Sequence, residues 1–249
     1  MRYIFSTLAF ALAFFAAPAM AQVDVPEAAE AMTQTAETQA ALTPAEALEM
    51  LKEGNARFVS GEMLDRDYMA QVAQTAMGQF PFAVVLGCID SRVPPELVFD
   101  QGIGDLFAPR IAGNFENTDI LGSMEFATAV AGSKVVVVLG HTSCGAVKGA
   151  CDNVELGNLT HTLAHIAPAV YAVRDDVAGP YTSSNPTFVQ EVAELNVERT
   201  VQDIVERSSV MADLVRAGDL IVIGAMHDVA TGEVTFFEDD MVTAETLDN

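Results

Sequence analysis

Four consecutive valines, Val135 to Val138, run into Leu139 and Gly140 with no polar residue among them. A strand with one wet face alternates apolar and polar residues. An unbroken apolar run needs cover on both faces, as in a parallel sheet with helices above and below. The pattern recurs: Phe82 to Leu86 stops at Gly87, and Leu220 to Ile223 stops at Gly224. A weaker run, Asp105 to Ile111, is interrupted by Pro109, which removes a ladder donor, and Glu233 to Phe237 follows a turn at Thr231-Gly232. Helical patterns lie between these runs, at about 118–131, 144–151, 158–174, 188–207 and 209–217, with Gly132 and Gly218 where C-terminal caps belong. Thr43-Pro44-Ala45-Glu46 predicts a helix start with Glu46 closing a capping box. That helix carries Leu48, Leu51 and Phe58 on one face and should end near Gly61. Asp175 to Pro186 reads as a surface loop. Without internal repeats, the simplest fold is one α/β domain around a mostly parallel sheet, with helices on both faces.

The two ends stand outside this pattern. Arg2, the apolar run Tyr3 to Phe15 and the closing Ala19-Met20-Ala21 read as a secretory signal peptide over 1–21, cleaved before Gln22. The segment is short for a membrane span, and no later one qualifies. Residues 22–42 read as an N-terminal arm, 43–240 as the domain and 241–249 as a tail. The expected location is therefore periplasmic, with no membrane attachment after cleavage. The chain holds 12 Lys+Arg against 35 Asp+Glu, a net charge of −23, which becomes −24 once Arg2 leaves with the leader. Such a polyanion repels nucleic acid and anionic membranes, but not a neutral substrate.

Chemistry concentrates where two apolar runs end. The first runs into Gly87-Cys88-Ile89-Asp90-Ser91-Arg92, the second into Gly140-His141-Thr142-Ser143-Cys144-Gly145. Residues beyond the carboxyl ends of parallel strands line the functional crevice. If the two strands are neighbours, Cys88, His141 and Cys144 converge. Two thiolates and an imidazole suit zinc, and three protein ligands leave a coordination place for water, as catalytic sites do. Paired Cys-x-x-Cys spacings are absent. The odd cysteine count argues against a disulfide scaffold, although one disulfide plus a free thiol stays open. So does a redox dithiol formed by Cys88 and Cys144.

These segments resemble the beta-class carbonic anhydrases. The likeness extends to Val93-Pro-Pro-Glu-Leu97, Phe99-Asp-Gln101, Ala112-Gly-Asn114, Gly122 to Phe126, Asn196-Val197, Gly218 to Gly224 and Thr231 to Val234, and covers roughly residues 43–238. It implies a sheet of four parallel strands plus a fifth antiparallel one, a homodimer or homotetramer, and reversible hydration of carbon dioxide to bicarbonate. By the same resemblance Cys88, His141 and Cys144 hold Zn2+, and Asp90 and Arg92 form a dyad that guides the reacting water. In some relatives the Asp closes the metal instead. Gln79, Phe107, Ala112, Phe126 and Gly145 match substrate-pocket positions. In the family that pocket lies at the dimer seam, so Gln79 and the phenylalanines would serve the partner's metal. Family pockets often carry Tyr where Phe126 stands, and a smaller residue where Ile89 stands. A Trp-containing regulatory site is excluded, because the chain has no Trp. The alternatives are a same-fold zinc hydrolase of carbon disulfide or carbonyl sulfide, and a catalytically silent zinc protein.

Two thiolates cancel the metal's charge, so water there should be acidified less than at an all-histidine site. Activity should therefore climb through mildly alkaline pH. Cys151 reads as a spare thiol two helical turns past Cys144, and His161 and His165 as a surface pair. His227, after the fourth strand, could relay protons but is not counted among the site residues.

Overall fold

The computed structural model describes residues 33–247. The leader at 1–21 and the first part of the arm, 22–32, lie outside the described residues. In chain order the elements are α1 (Ala36–Ala41), α2 (Pro44–Ser60), α3 (Tyr68–Thr75), β1 (Ala83–Gly87), α4 (Pro95–Val98), β2 (Leu106–Phe107), α5 (Thr118–Glu125), β3 (Val135–His141), α6 (Gly145–Cys151), α7 (Gly157–Ala164), α8 (Ala167–Val173), α9 (Pro186–Arg207), α10 (Ser209–Arg216), β4 (Ile221–His227) and β5 (Val234–Phe236). Phe126–Val130 continues α5 as a π-helical turn.

The strands form one sheet in the order β2-β1-β3-β4-β5, parallel except for the β4–β5 pair. This is the four-plus-one sheet that the resemblance implies. The four valines are all buried, and their side chains alternate between two cores. Val136 and Val138 pack with Phe188, Val197 and Ile204 of α9, while Val135, Val137 and Leu139 pack with Leu51 of α2 and Phe99. A period-two backbone covered on both sides thus explains the unbroken apolar run.

Local signals hold at the element ends. Thr43 accepts from the Glu46 amide, Glu46 bonds back to the Thr43 amide, and Gly61 ends α2 at φ +76°. Gly140 and Gly224 let α9 lie close on the sheet: a Cβ there would come within 2.6 Å and 2.7 Å of the Val197 methyls. The continuous helix expected at 158–174 is instead two, α7 and α8. Pro168 supplies no amide and its ring crowds the preceding turn, so the chain breaks around His165-Ile166. The run at 105–111 yields only a two-residue strand. Beyond it, Pro109 can accept from Gly87 but cannot donate, and Arg110 forms an isolated bridge to Gly87. Within the arm, α1 is ordered because the buried Gln39 amide donates to the Pro81 and Ala131 carbonyls.

The chain passes from β1 outward to β2, then crosses back to β3 on the other side of β1. The connections diverge between β1 and β3, which opens a crevice at their carboxyl ends. Register pairs Gly87 with Leu139, so Cys88 stands beside Gly140 and His141.

Candidate metal centre

Cys88 leaves β1, His141 is the last residue of β3, and Cys144 is the N-cap of α6; all three are buried. Ser143, at φ +57°, turns the chain sharply enough to return Cys144 toward His141. The two sulphurs are 4.0 Å apart. Together with a His141 ring nitrogen, the three donor atoms lie within 4.8 Å of one another. His141 Nδ1 lies 3.0 Å from the Thr142 carbonyl. A carbonyl only accepts, so Nδ1 carries the proton and Nε2 presents its lone pair. That nitrogen is fully buried and has no hydrogen-bond partner. An unsatisfied buried acceptor is costly, which a cation would relieve. In a tetrahedral zinc set with sulphur bonds of about 2.3 Å, two sulphurs stand roughly 3.8 Å apart. The donor set therefore fits a zinc-like ion.

The electrostatics agree. The Cys144 thiol donates to Cys88 and pulls the Cys88 thiol down to about 4, against the opposing effect of burial; the Gly113 and Asp90 amides add to the lowering. The same hydrogen bond and burial push Cys144 up, while the Val147 and Ala146 amides at the start of α6 oppose. Two sulphurs this close hold one proton between them, which a cation would displace.

Asp90 and Arg92 form a bidentate pair. Arg92 donates from Nε to Oδ1 at 2.9 Å, from Nη2 to Oδ2 at 2.7 Å, and from its backbone amide to Oδ1 at 3.0 Å. The guanidinium hydrogen bond holds the Asp90 carboxyl well below the usual carboxylate range, against partial burial. Asp90 Oδ2 also lies 3.9 Å from His141 Nε2, so an ionised carboxylate faces the same space as the ligand atoms.

A cavity of about 240 Å³ opens from this point, with a largely apolar lining of Cys88, Ile89, Asp90, Ala112, Gly145, Ala146, Gly149, Leu159 and Leu163. Ala112 and Gly145 are thus brought to the centre. Phe107 and Phe126 are not. They meet each other edge to face at 6.1 Å and line a separate groove of about 780 Å³ with Val84, Pro109, Thr118 and Ser123. Phe126 is 53% exposed. Gln79 is exposed before β1 and lines neither cavity.

Two supporting roles escaped the sequence reading. Thr142 sets the His141 tautomer through its carbonyl, and its hydroxyl accepts from the Val229 amide. Asn196, buried on α9, donates to the Gly113 carbonyl at 2.9 Å, and the Gly113 amide in turn approaches Cys88 Sγ at 3.4 Å. A lone buried amide on an apolar helix face is the signal that could have flagged Asn196. Cys151 is buried and its thiol pushed up to about 11 by burial. His161 and His165 stack edge to face, and His165 lies flat on Phe115 at 4.2 Å. His227 pairs with His141 in the sheet and is buried with neither ring nitrogen hydrogen-bonded.

Comparison with known proteins follows the same residues. Residues 83–234 match the family model described as carbonic anhydrase. Carbonic anhydrase 2 of Mycobacterium tuberculosis is 36% identical over 195 residues, covering 76% of this chain and 90% of that protein. A carbonic anhydrase of Mycolicibacterium smegmatis is 36% identical over 197 residues, 77% of this chain and 92% of that one. Among solved structures, a beta-carbonic anhydrase of Aspergillus fumigatus superposes with a TM-score of 0.63 at 27% identity, over 82% of this chain and 94% of that chain. One of two tetrameric beta-carbonic anhydrases of Sordaria macrospora gives 0.59 at 25% identity, over 68% and 89%.

Proposed function

Since this chain belongs to the beta-class carbonic anhydrases, we propose that it hydrates carbon dioxide at a zinc centre held by Cys88 Sγ, Cys144 Sγ and His141 Nε2. The observation that carries the reading is the buried, unpartnered His141 Nε2 facing two sulphurs beside a carboxylate pinned by arginine. Zinc in such a set would supply a Lewis acid that makes water more acidic and nucleophilic. The chain's own residues do the rest. Asp90, kept ionised by Arg92, accepts a hydrogen bond from the attacking water and so aims an oxygen lone pair at the substrate carbon. With both carboxylate oxygens engaged by Arg92, Asp90 is better placed to guide water than to close the metal. Ile89, Ala112, Leu159 and Leu163 give a small linear apolar molecule an apolar wall to rest on. Gly145, at the start of α6, offers main chain rather than side chain to the product's charge.

Phe107 and Phe126 complete the pocket of a second copy, since their groove is open and apart from this chain's own centre, and the exposed Gln79 serves that copy as well. The working unit is a homodimer or a multiple of one, and the tetrameric Sordaria relatives support this. The leader-like segment at 1–21 supports export to the periplasm, with cleavage before Gln22.

Metal analysis and stopped-flow hydration of the mature chain test the reading. One zinc per chain and carbon dioxide hydration are expected, with carbonyl sulfide and carbon disulfide turned over far more slowly. Cys144→Ser should lose most of its metal and at least about a hundredfold in rate. Full activity in that variant would sink the ligand assignment.

A further inference from the structure

We propose that Arg110 is a positioning residue for this reaction, holding the loop that carries Cys88 and Asp90 in its working shape. The inference rests on the metal centre proposed above. Arg110 follows β2 and bridges to Gly87 at the end of β1. Its Nε donates to the Cys88 carbonyl at 2.7 Å and its Nη2 to the Asp90 carbonyl at 2.6 Å. These two carbonyls flank Ile89, so one planar fork spans the loop from the metal ligand to the carboxylate. Donors on a rigid plane fix the spacing of their acceptors, which the single flexible ammonium of lysine does not do.

The surrounding backbone presses the loop from the same side. The Gly87 amide donates to the Pro109 carbonyl, the Ile111 amide to the Gly87 carbonyl, and the Gly113 amide to Cys88 Sγ. Asp90 is consequently held twice by different arginines. Arg92 fixes its carboxylate and Arg110 its main chain. The guanidinium of Arg110 is spent on main chain rather than on a carboxylate. Acids outnumber Lys and Arg by 35 to 12, yet among the described residues Arg110 forms no ion pair with a carboxylate. A half-buried guanidinium given wholly to two loop carbonyls is a restraint on those carbonyls. Charge-assisted hydrogen bonds of this kind are about twice as strong as neutral ones. Outer groups that orient ligands commonly affect metal affinity or activity by 10- to 100-fold.

The test uses the mature zinc-loaded protein with Arg110→Met and Arg110→Lys, each also in an Asp90→Asn background. Zinc release to a chromophoric chelator and the kcat of hydration are both measured. Arg110→Met should keep wild-type circular dichroism and one zinc, release that zinc about tenfold faster, and lose about tenfold in kcat. Arg110→Lys should fall between it and wild type. Without the Asp90 carboxylate, the same substitution should cost less than about threefold in kcat, while the faster metal release persists through Cys88. A merely structural arginine would give losses that multiply in full. Fully multiplicative losses in kcat, or wild-type release and kcat in Arg110→Met, would overturn the inference. Should Arg110→Met not fold, wild-type values in Arg110→Lys would overturn it equally. A wild-type protein that binds no zinc or hydrates no carbon dioxide would instead overturn the reading on which it rests.

Discussion

Within five residues of chain, Cys88 is a buried thiol, Asp90 a partly buried anion and Arg92 a largely exposed cation. Their division of labour comes from where the loop leaves the sheet. Removing the Asp90 carboxylate while keeping its shape should leave zinc in place, because Asp90 is not one of the three proposed donors. Asp90→Asn is therefore expected to retain one zinc by metal analysis while losing about 10²-fold in kcat. His227 carries a separate consequence. Burial, then the neighbouring His141, lowers its pKa below the ordinary histidine value. A histidine whose pKa is depressed by folding binds its proton more readily when unfolded. Stability is accordingly lost as pH falls through the ordinary value of about 6.5. Thermal unfolding between pH 7.5 and pH 5.5 should show a smaller drop for His227→Phe than for wild type. Equal drops would count against the buried neutral imidazole.

At the scale of elements, short-range chemistry sets the ends and long-range packing sets the approach. The capping box at Thr43 depends on four consecutive residues. Thr43→Ala should cost about 1 kcal/mol in chemical denaturation, with the metal content unchanged. The close seat of α9 on β3 and β4 depends on residues far apart in sequence. Adding one methyl at Gly140 drives it against Val197 and Met226. Gly140→Ala should cost about 1–3 kcal/mol by the same measurement. Because α9 also carries Asn196, which holds the Gly113 carbonyl, the substitution should release zinc faster as well.

For the whole molecule, a net charge of −23 makes the folded state repel itself. Raising salt from about 0.05 M to 0.5 M should therefore raise Tm in a scan at constant pH, by screening. The leading motifs were readable in the sequence for a physical reason. Continuous apolar runs need two-sided cover, glycine stops mark strand ends, and two thiols with an imidazole at those ends have few other uses. Capping at Thr43 and the break after Gly61 were readable because they are local. The broken helix around Pro168 belongs to the same class: Pro168 carried the break, although the apolar pattern across 158–174 obscured it. Pairing of β1 with β3, which turns three scattered residues into one donor set, was only conditional in the sequence, because strand order is a long-range choice. Arg110 was invisible there, since a lone arginine after a proline says nothing of which carbonyls it will meet. The separation of Phe107 and Phe126 from the chain's own centre is likewise a matter of geometry. By itself the sequence determined the main strands, most of the helices and the chemical character of the site, through local sterics and hydrophobic pattern. Only the tertiary structure decided which groups face one another, because hydrogen bonds and donor sets depend on distances that chain spacing does not fix.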